Sequence, residues 1–381
     1  MVLFAGAVLL IGLAVSCDWL LPKEDLITPG MRIPPALTSS TERGTRDAGV
    51  PGAVQVFEPF RVSLDVAAAV LESCYDIIDT IKQSRIPDTM EGTFATNQRI
   101  KVSCNEANEY KKRIELYKDS SAAEPYLIVL YNKGIIKGKI YYNNNESPTP
   151  STSEGHLVSL LVSYDETTAN PTLEIRADLA DGSDDVTNPR SLYYSGVYGS
   201  AGIQVHGGVG YHYVFNPDPT NNPDVYNANH TYMYRAQVSA DETKARVELY
   251  FPSAASTADP AVSDAVSNAF LDIVYAWVNS ANNTNVRTAL DNASPQIRYT
   301  DTATLKSNLA AWKAANPSET SLDALLFILN LDNPIAYSSS DGYVANGTLP
   351  AGYTEADLGA LSSIAWTLKP EEIYSLAVIK P

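Results

Sequence analysis

Leu157-Val-Ser-Leu-Leu-Val-Ser-Tyr164, Asp165-Glu-Thr-Thr-Ala-Asn-Pro171 and Thr172-Leu-Glu-Ile-Arg-Ala-Asp-Leu179 follow one another without a break. In the third segment Leu173, Ile175, Ala177 and Leu179 alternate with Thr172, Glu174, Arg176 and Asp178. A spacing of two puts the apolar set on one face of a strand and the polar set on the other. The middle segment is made of turn-forming residues and is far too short for a crossover helix. The flanking strands must therefore run antiparallel.

The same period continues to either side. Strands are predicted over Ile100–Cys104, Arg113–Lys118, Tyr126–Tyr131, Ile135–Tyr142, Leu157–Tyr164, Thr172–Leu179, Ser191–Tyr198, Ile203–Phe215, Thr231–Val238 and Lys244–Phe251. Asn132-Lys-Gly134, Asn143-Asn-Asn145, Asp181-Gly-Ser183 and longer Asn- and Pro-rich runs separate them, and these are turn signals. Ahead of the strands, Ala67, Leu71, Cys74, Ile78 and Ile81 recur at helical spacing between a capping Ser63 and Pro87, which predicts a helix over Ser63–Ser84. Behind them, Val262–Val278, Thr302–Ala315 and Ser321–Leu331 read as helices, with short ones opening at Thr354 and at Lys369-Pro370. Asn333–Gly352 reads as loop. The expected fold class is α+β: an antiparallel β-sheet meander, able to curl into a half-barrel, packed with an N-terminal helix and C-terminal helices.

Asp18 to Phe60 has no period and contains Pro22, Pro29, Pro34, Pro35, Pro51 and Pro59. Such a run stays extended, although part of it can lie along the body as an irregular arm. The chain thus divides into a leader at 1–16, a proline-rich tether at 17–60, a helix plus antiparallel β domain at 61–259, and a mainly helical C-terminal region at 260–381.

The leader is apolar and uncharged from Val2 to Val15, shorter than the roughly 20 residues a spanning helix needs, and suited to a secretory signal. Its end, Leu13-Ala14-Val15-Ser16-Cys17, resembles the lipobox of bacterial lipoproteins. That resemblance implies cleavage before Cys17, a diacylglycerol thioether on its sulfur, and N-acylation by a fatty acid such as palmitate. Two or three acyl chains anchor firmly where one holds only marginally. The expected location is the bacterial cell envelope, on the periplasmic side or the cell surface, with the membrane reached through the lipid anchor.

Cys74 lies on the apolar stripe of the predicted helix and Cys104 ends the apolar face of the strand Ile100–Cys104. A helix packed on that strand would bring the two sulfurs together as a disulfide, worth roughly 3–4 kcal/mol in the chain-entropy account. Two buried thiols are the other reading.

A net charge of −17 excludes a nucleic-acid partner, which needs a basic face. The 23 tyrosines against 8 phenylalanines suit half-exposed sheet faces and contact surfaces. None of the usual catalytic elbows, zinc helices or phosphate loops occurs, and no cofactor is implied. Gly207-Gly208-Val209-Gly210 sits within a strand pattern and marks a bulge or a close backbone approach. His212 and His230 would come near one another across a hairpin, yet a zinc site needs three or four ligands. Asp178, Asp181, Asp184 and Asp185 crowd one turn without the spacing of a calcium loop.

Three functional readings follow. The first is a non-enzymatic lipid-anchored envelope protein with a structural role or a protein partner. The second is a carrier of a hydrophobic ligand, because the order helix, meander, helices is similar to that of lipid-binding half-barrels. The third is a glycan-directed enzyme using a pair of carboxylates.

Overall fold

The computed structural model describes residues 31–34, 37, 53–83, most of 86–250, 302–318, 335–338, 342–344 and 363–381. Helix α1 spans Ala53–Gln83. The strands follow: β1 Met90–Thr93, β2 Arg99–Cys104, β3 Lys112–Tyr117, β4 Leu127–Tyr131, β5 Lys137–Asn143, β6 Leu157–Asp165, β7 Thr172–Leu179, β8 Ser191–Gly199, β9 Gly202–Phe215, β10 Tyr226–Ser239 and β11 Lys244–Tyr250. Helix α2 (Thr302–Ala315), strands β12 (Ile335–Ser338) and β13 (Gly342–Val344) and helix α3 (Pro370–Tyr374) complete the order.

The described strands form one sheet in the order β1 to β13, each hydrogen-bonded to its neighbour in sequence. Every pairing is antiparallel. The α+β meander expected from the alternation is the observed fold.

Register explains how the apolar residues gather. Cross-strand partners share a face, so Val102, Ile114, Val129, Ile140, Val162 and Ile175 form one continuous row. All six are buried. A parallel row runs Ile100, Leu116, Leu127, Tyr142, Leu160 and Ala177, also buried. Helix α1 covers this inner face with Leu64, Ala67, Leu71, Cys74, Ile77, Ile78 and Ile81, each at most 3 % exposed. Fully burying each of the leucines and isoleucines stabilises by about 1.5–3 kcal/mol.

The same face receives residues 31–34 and 37. Met31, Ile33 and Leu37 are buried, the Tyr75 hydroxyl donates to the Met31 carbonyl, and Tyr198 Oη donates to the Arg32 carbonyl at 2.8 Å. Part of the proline-rich run is thus an arm on the body. Helix α1 also begins ten residues before the predicted Ser63 and continues through Pro59, which removes a single backbone donor.

The outer face is crossed by residues 363–381. Ile364, Ile373 and Leu376 are buried, and Val378 packs on the Ile128, Leu130 and Tyr141 cluster of β4 and β5. At the other end Trp366 and Leu368 pack on Tyr193 and Met233 of β8 and β10. The C-terminal region is therefore joined to the sheet on its outer face and, through β12 and β13, along its edge. Asn333–Gly352, read as loop, supplies those two short strands. The predicted helices Val262–Val278 and Ser321–Leu331 lie outside the described residues.

Candidate functional site

Two places on the outer face bring chemistry-bearing side chains together. The first is where the C-terminal segment is fastened to β8, β9 and β10. Period-two alternation puts Tyr193, Ser195, His206 and Arg235 on this face, with Ser195, His206 and Arg235 in one cross-strand row. Thr367 Oγ1 lies 2.8 Å from His206 Nε2 and 2.6 Å from Tyr193 Oη. The Trp366 ring stands edge-on to the His206 imidazole, with centroids 6.3 Å apart. Arg235 stacks over the same Trp366 ring and donates to the Ile364 carbonyl at 3.3 Å. Below them the Ser191 hydroxyl donates to the Ile373 carbonyl at 2.5 Å.

Burial dominates the electrostatics here. His206 is 7 % exposed, and loss of solvation pulls its pKa down from 6.5 to about 4. Neutral at physiological pH, its ring shares one hydroxyl with Tyr193, which is closed to solvent as well. No substrate reaches these atoms with the segment in place, so the cluster works as a fastening. Tyr374 explains Gly210, where a side chain would approach the Tyr374 Cα to 2.8 Å, and the Tyr193 carbonyl oxygen and Tyr234 hydroxyl explain Gly207. Gly207–Gly210 thus mark a close backbone approach, and the β9 pairings run through them without a register shift.

The second place is a pocket of 280 Å³ where the β2–β3 connection folds over the outer face. Its floor is Ser103, Arg113 and Leu130, consecutive partners across β2, β3 and β4. Its wall is Asn105, Asn108, Glu109, Tyr110 and Lys111. The Arg113 guanidinium is held by Glu115 at 2.8 Å and by the Pro381 carbonyl at 3.0 Å. Glu109 is paired with Lys137 at 3.0 Å. Lys139, the next position in the Arg113 and Leu130 row, places its ammonium 5.6 Å from the Tyr110 ring centre.

The residues singled out by sequence fall differently. Cys17, Asp181 and Asp184 lie outside the described residues, as does Asp185. His212 is paired with Asn229 and His230 with Tyr211, so the two histidines occupy successive positions of the ladder and are not partners. Among the described residues no group of three metal-ligating side chains forms.

Cys74 and Cys104 are not joined in a disulfide. The register gives the reason. Cys104, Lys112, Tyr131, Gly138 and Tyr164 form one row from β2 to β6, and Cys74 sits by Tyr164. Tyr164 lies four strands from Cys104 at about 4.8 Å per strand, whereas a disulfide needs Cα atoms within about 7 Å. The helix does pack on the sheet, but over its middle and away from β2.

The fastening cluster and the pocket were not foreseen from sequence. Gln204-x-His206 shows the alternation that sets His206 on one face, but its partner Thr367 is 161 residues away. No family model matches this chain, and no curated protein or solved structure matches it.

Proposed function

We propose that this chain is an exported, lipid-anchored envelope protein, held through Cys17 and working by contact with another envelope component. The observation that carries the reading is Leu13-Ala14-Val15-Ser16-Cys17 at the end of an uncharged apolar run, followed by a proline-rich segment. Acyl chains at Cys17 would supply the attachment that a net charge of −17 disfavours on anionic lipid. Among the described residues no helix is long and apolar enough to cross a membrane.

The packing bears on the alternatives. A carrier of hydrophobic molecules needs apolar space of several hundred Å³ against the sheet. Here α1 and the described residues of the arm, Met31, Ile33 and Leu37, bury side chains against the middle of the inner face, which favours a solid body over a container there. An enzyme needs reacting groups open to substrate, and the buried His206 cluster is closed.

The test is metabolic labelling with an alkyne-bearing palmitate, followed by detergent partition. The native chain is expected to carry the label and enter the detergent phase. Cys17→Ser should lose both properties. A Cys17→Ser protein that still entered the detergent phase would overturn the anchor.

A further inference from the structure

We infer that the rim of the sheet carrying the β6–β7, β8–β9 and β10–β11 turns faces the membrane, set there by the short stretch between Cys17 and Met31. The inference rests on Cys17 being the anchor, and adds which surface of the body is turned to the lipid headgroups.

The fastening of the arm is the first argument. The Met31 amide donates to Glu166 Oε1 at 3.2 Å, and Glu166 opens the β6–β7 turn. The Arg32 guanidinium pairs at 3.2 Å with Glu242 of the β10–β11 turn. The Arg32 carbonyl accepts from Tyr198, beside the β8–β9 turn, and the Met31 carbonyl accepts from Tyr75 of α1. Met31, Ile33 and Leu37 are buried, so the arm is held by apolar packing as well. In an antiparallel sheet whose strands follow sequence order, these three turns lie at one end of the strands. The arm is therefore pinned to one rim.

Chain length is the second argument. Only thirteen residues, 18–30, separate Cys17 from the fastening. Fully extended, they reach at most about 50 Å, and a flexible chain of that length averages about 20 Å. Were the arm loose, the tether would run on to Ala53 and reach about 120 Å, leaving the body to turn any side to the bilayer. The opposite rim stands about 30 Å further off, the length of the nine-residue strand β8. The point of attachment thus selects the near rim.

Charge decides how that rim meets the lipid. Residues 165–171 and 240–243 hold four carboxylates and no Lys or Arg. Lys137 holds Asp165 at 3.1 Å, and Arg32 is spent on Glu242. These turns offer anionic headgroups no attraction, so the rim faces the bilayer without lying on it.

The experiment uses the full lipidated chain, incorporated into preformed vesicles of phosphatidylethanolamine and phosphatidylglycerol that carry a rhodamine-labelled headgroup. A fluorescein donor is attached at Ser200→Cys, in the β8–β9 turn, or at Ser120→Cys, in the β3–β4 turn of the opposite rim, each with Cys104→Ser. Both serines are exposed. Energy transfer from Ser200→Cys should exceed that from Ser120→Cys roughly twofold or more. Inserting about 30 Gly and Ser residues after Asp25 lengthens the tether and should abolish the excess. Equal transfer from the two positions in the vesicle-bound chain, or an excess that survives the insertion, would overturn the orientation and leave the anchor standing. A chain that does not float with the vesicles overturns both.

Discussion

His206 and Thr367 meet across the outer face of the sheet, ring nitrogen to hydroxyl at 2.8 Å, and this contact fastens the C-terminal segment over a neutral imidazole. The fastening depends on that neutrality. Below pH 6.5 an unfolded chain binds a proton at this position, while the folded chain resists until about pH 4. Stability from this group is therefore intact above pH 6.5 and falls as pH drops toward 4. The full loss is about 3 kcal/mol. Urea midpoints at pH 7 and pH 5 should differ in the native chain, and His206→Gln should flatten the difference.

Thr367→Val keeps the shape of the side chain and removes the oxygen shared by His206 and Tyr193. Two buried polar groups then lose a partner, at a cost of about 1–3 kcal/mol. Chemical denaturation measures the loss. Limited proteolysis should show faster cutting within 363–381 than in the native protein.

Gly138 faces Tyr164 across β5 and β6, and a Cβ there would lie 2.7 Å from the Leu130 carbonyl oxygen as well as against the tyrosine hydroxyl. Backbone cannot yield as a side chain can. Gly138→Ala is expected to destabilise by about 1–3 kcal/mol. Gly92, on β1, has open space where its Cβ would be. Gly92→Ala should stay within about 0.5 kcal/mol of the native protein, and the two unfolding curves together separate crowding from the loss of glycine itself.

Cys74 is buried, and desolvation pushes its thiol pKa upward, whereas Cys104 is half-buried at the end of β2. A Cys17→Ser chain treated with a maleimide without reductant should be labelled at Cys104 and spared at Cys74 until denatured. Peptide mapping by mass spectrometry distinguishes this from a Cys74–Cys104 disulfide, which would spare both.

Most of the longer strands were legible because alternation needs several residues to declare itself, whereas Leu127–Tyr131 is an unbroken apolar run. Leu173 through Leu179 states its face four times over. Met90–Thr93, Ile335–Ser338 and Gly342–Val344 are too short to show a period, and pairing with a longer neighbour is what makes them strands. Pro59 hid the first turns of α1, since a proline inside a helix reads as a stop. The wrong pairing of Cys74 came from the same source as the correct helix. Periodicity tells which face of α1 is buried, but carries nothing about which strand lies beneath it. The His206 cluster depends on contacts between distant segments, and only the register of β8, β9 and β10 places it.

The sequence-ordered sheet has a consequence for how this chain comes into being. Each strand bonds to the one just made, so the sheet can be laid down as a zipper, hairpin after hairpin, as the chain is synthesised. At every stage the growing edge is the newest strand, and the next one caps it, while β1 has no second strand neighbour among the described residues. Residues 363–381 break this rule, because they return to strands synthesised long before. Their arrival on His206 and Arg113 is the latching step, after which the outer face is closed.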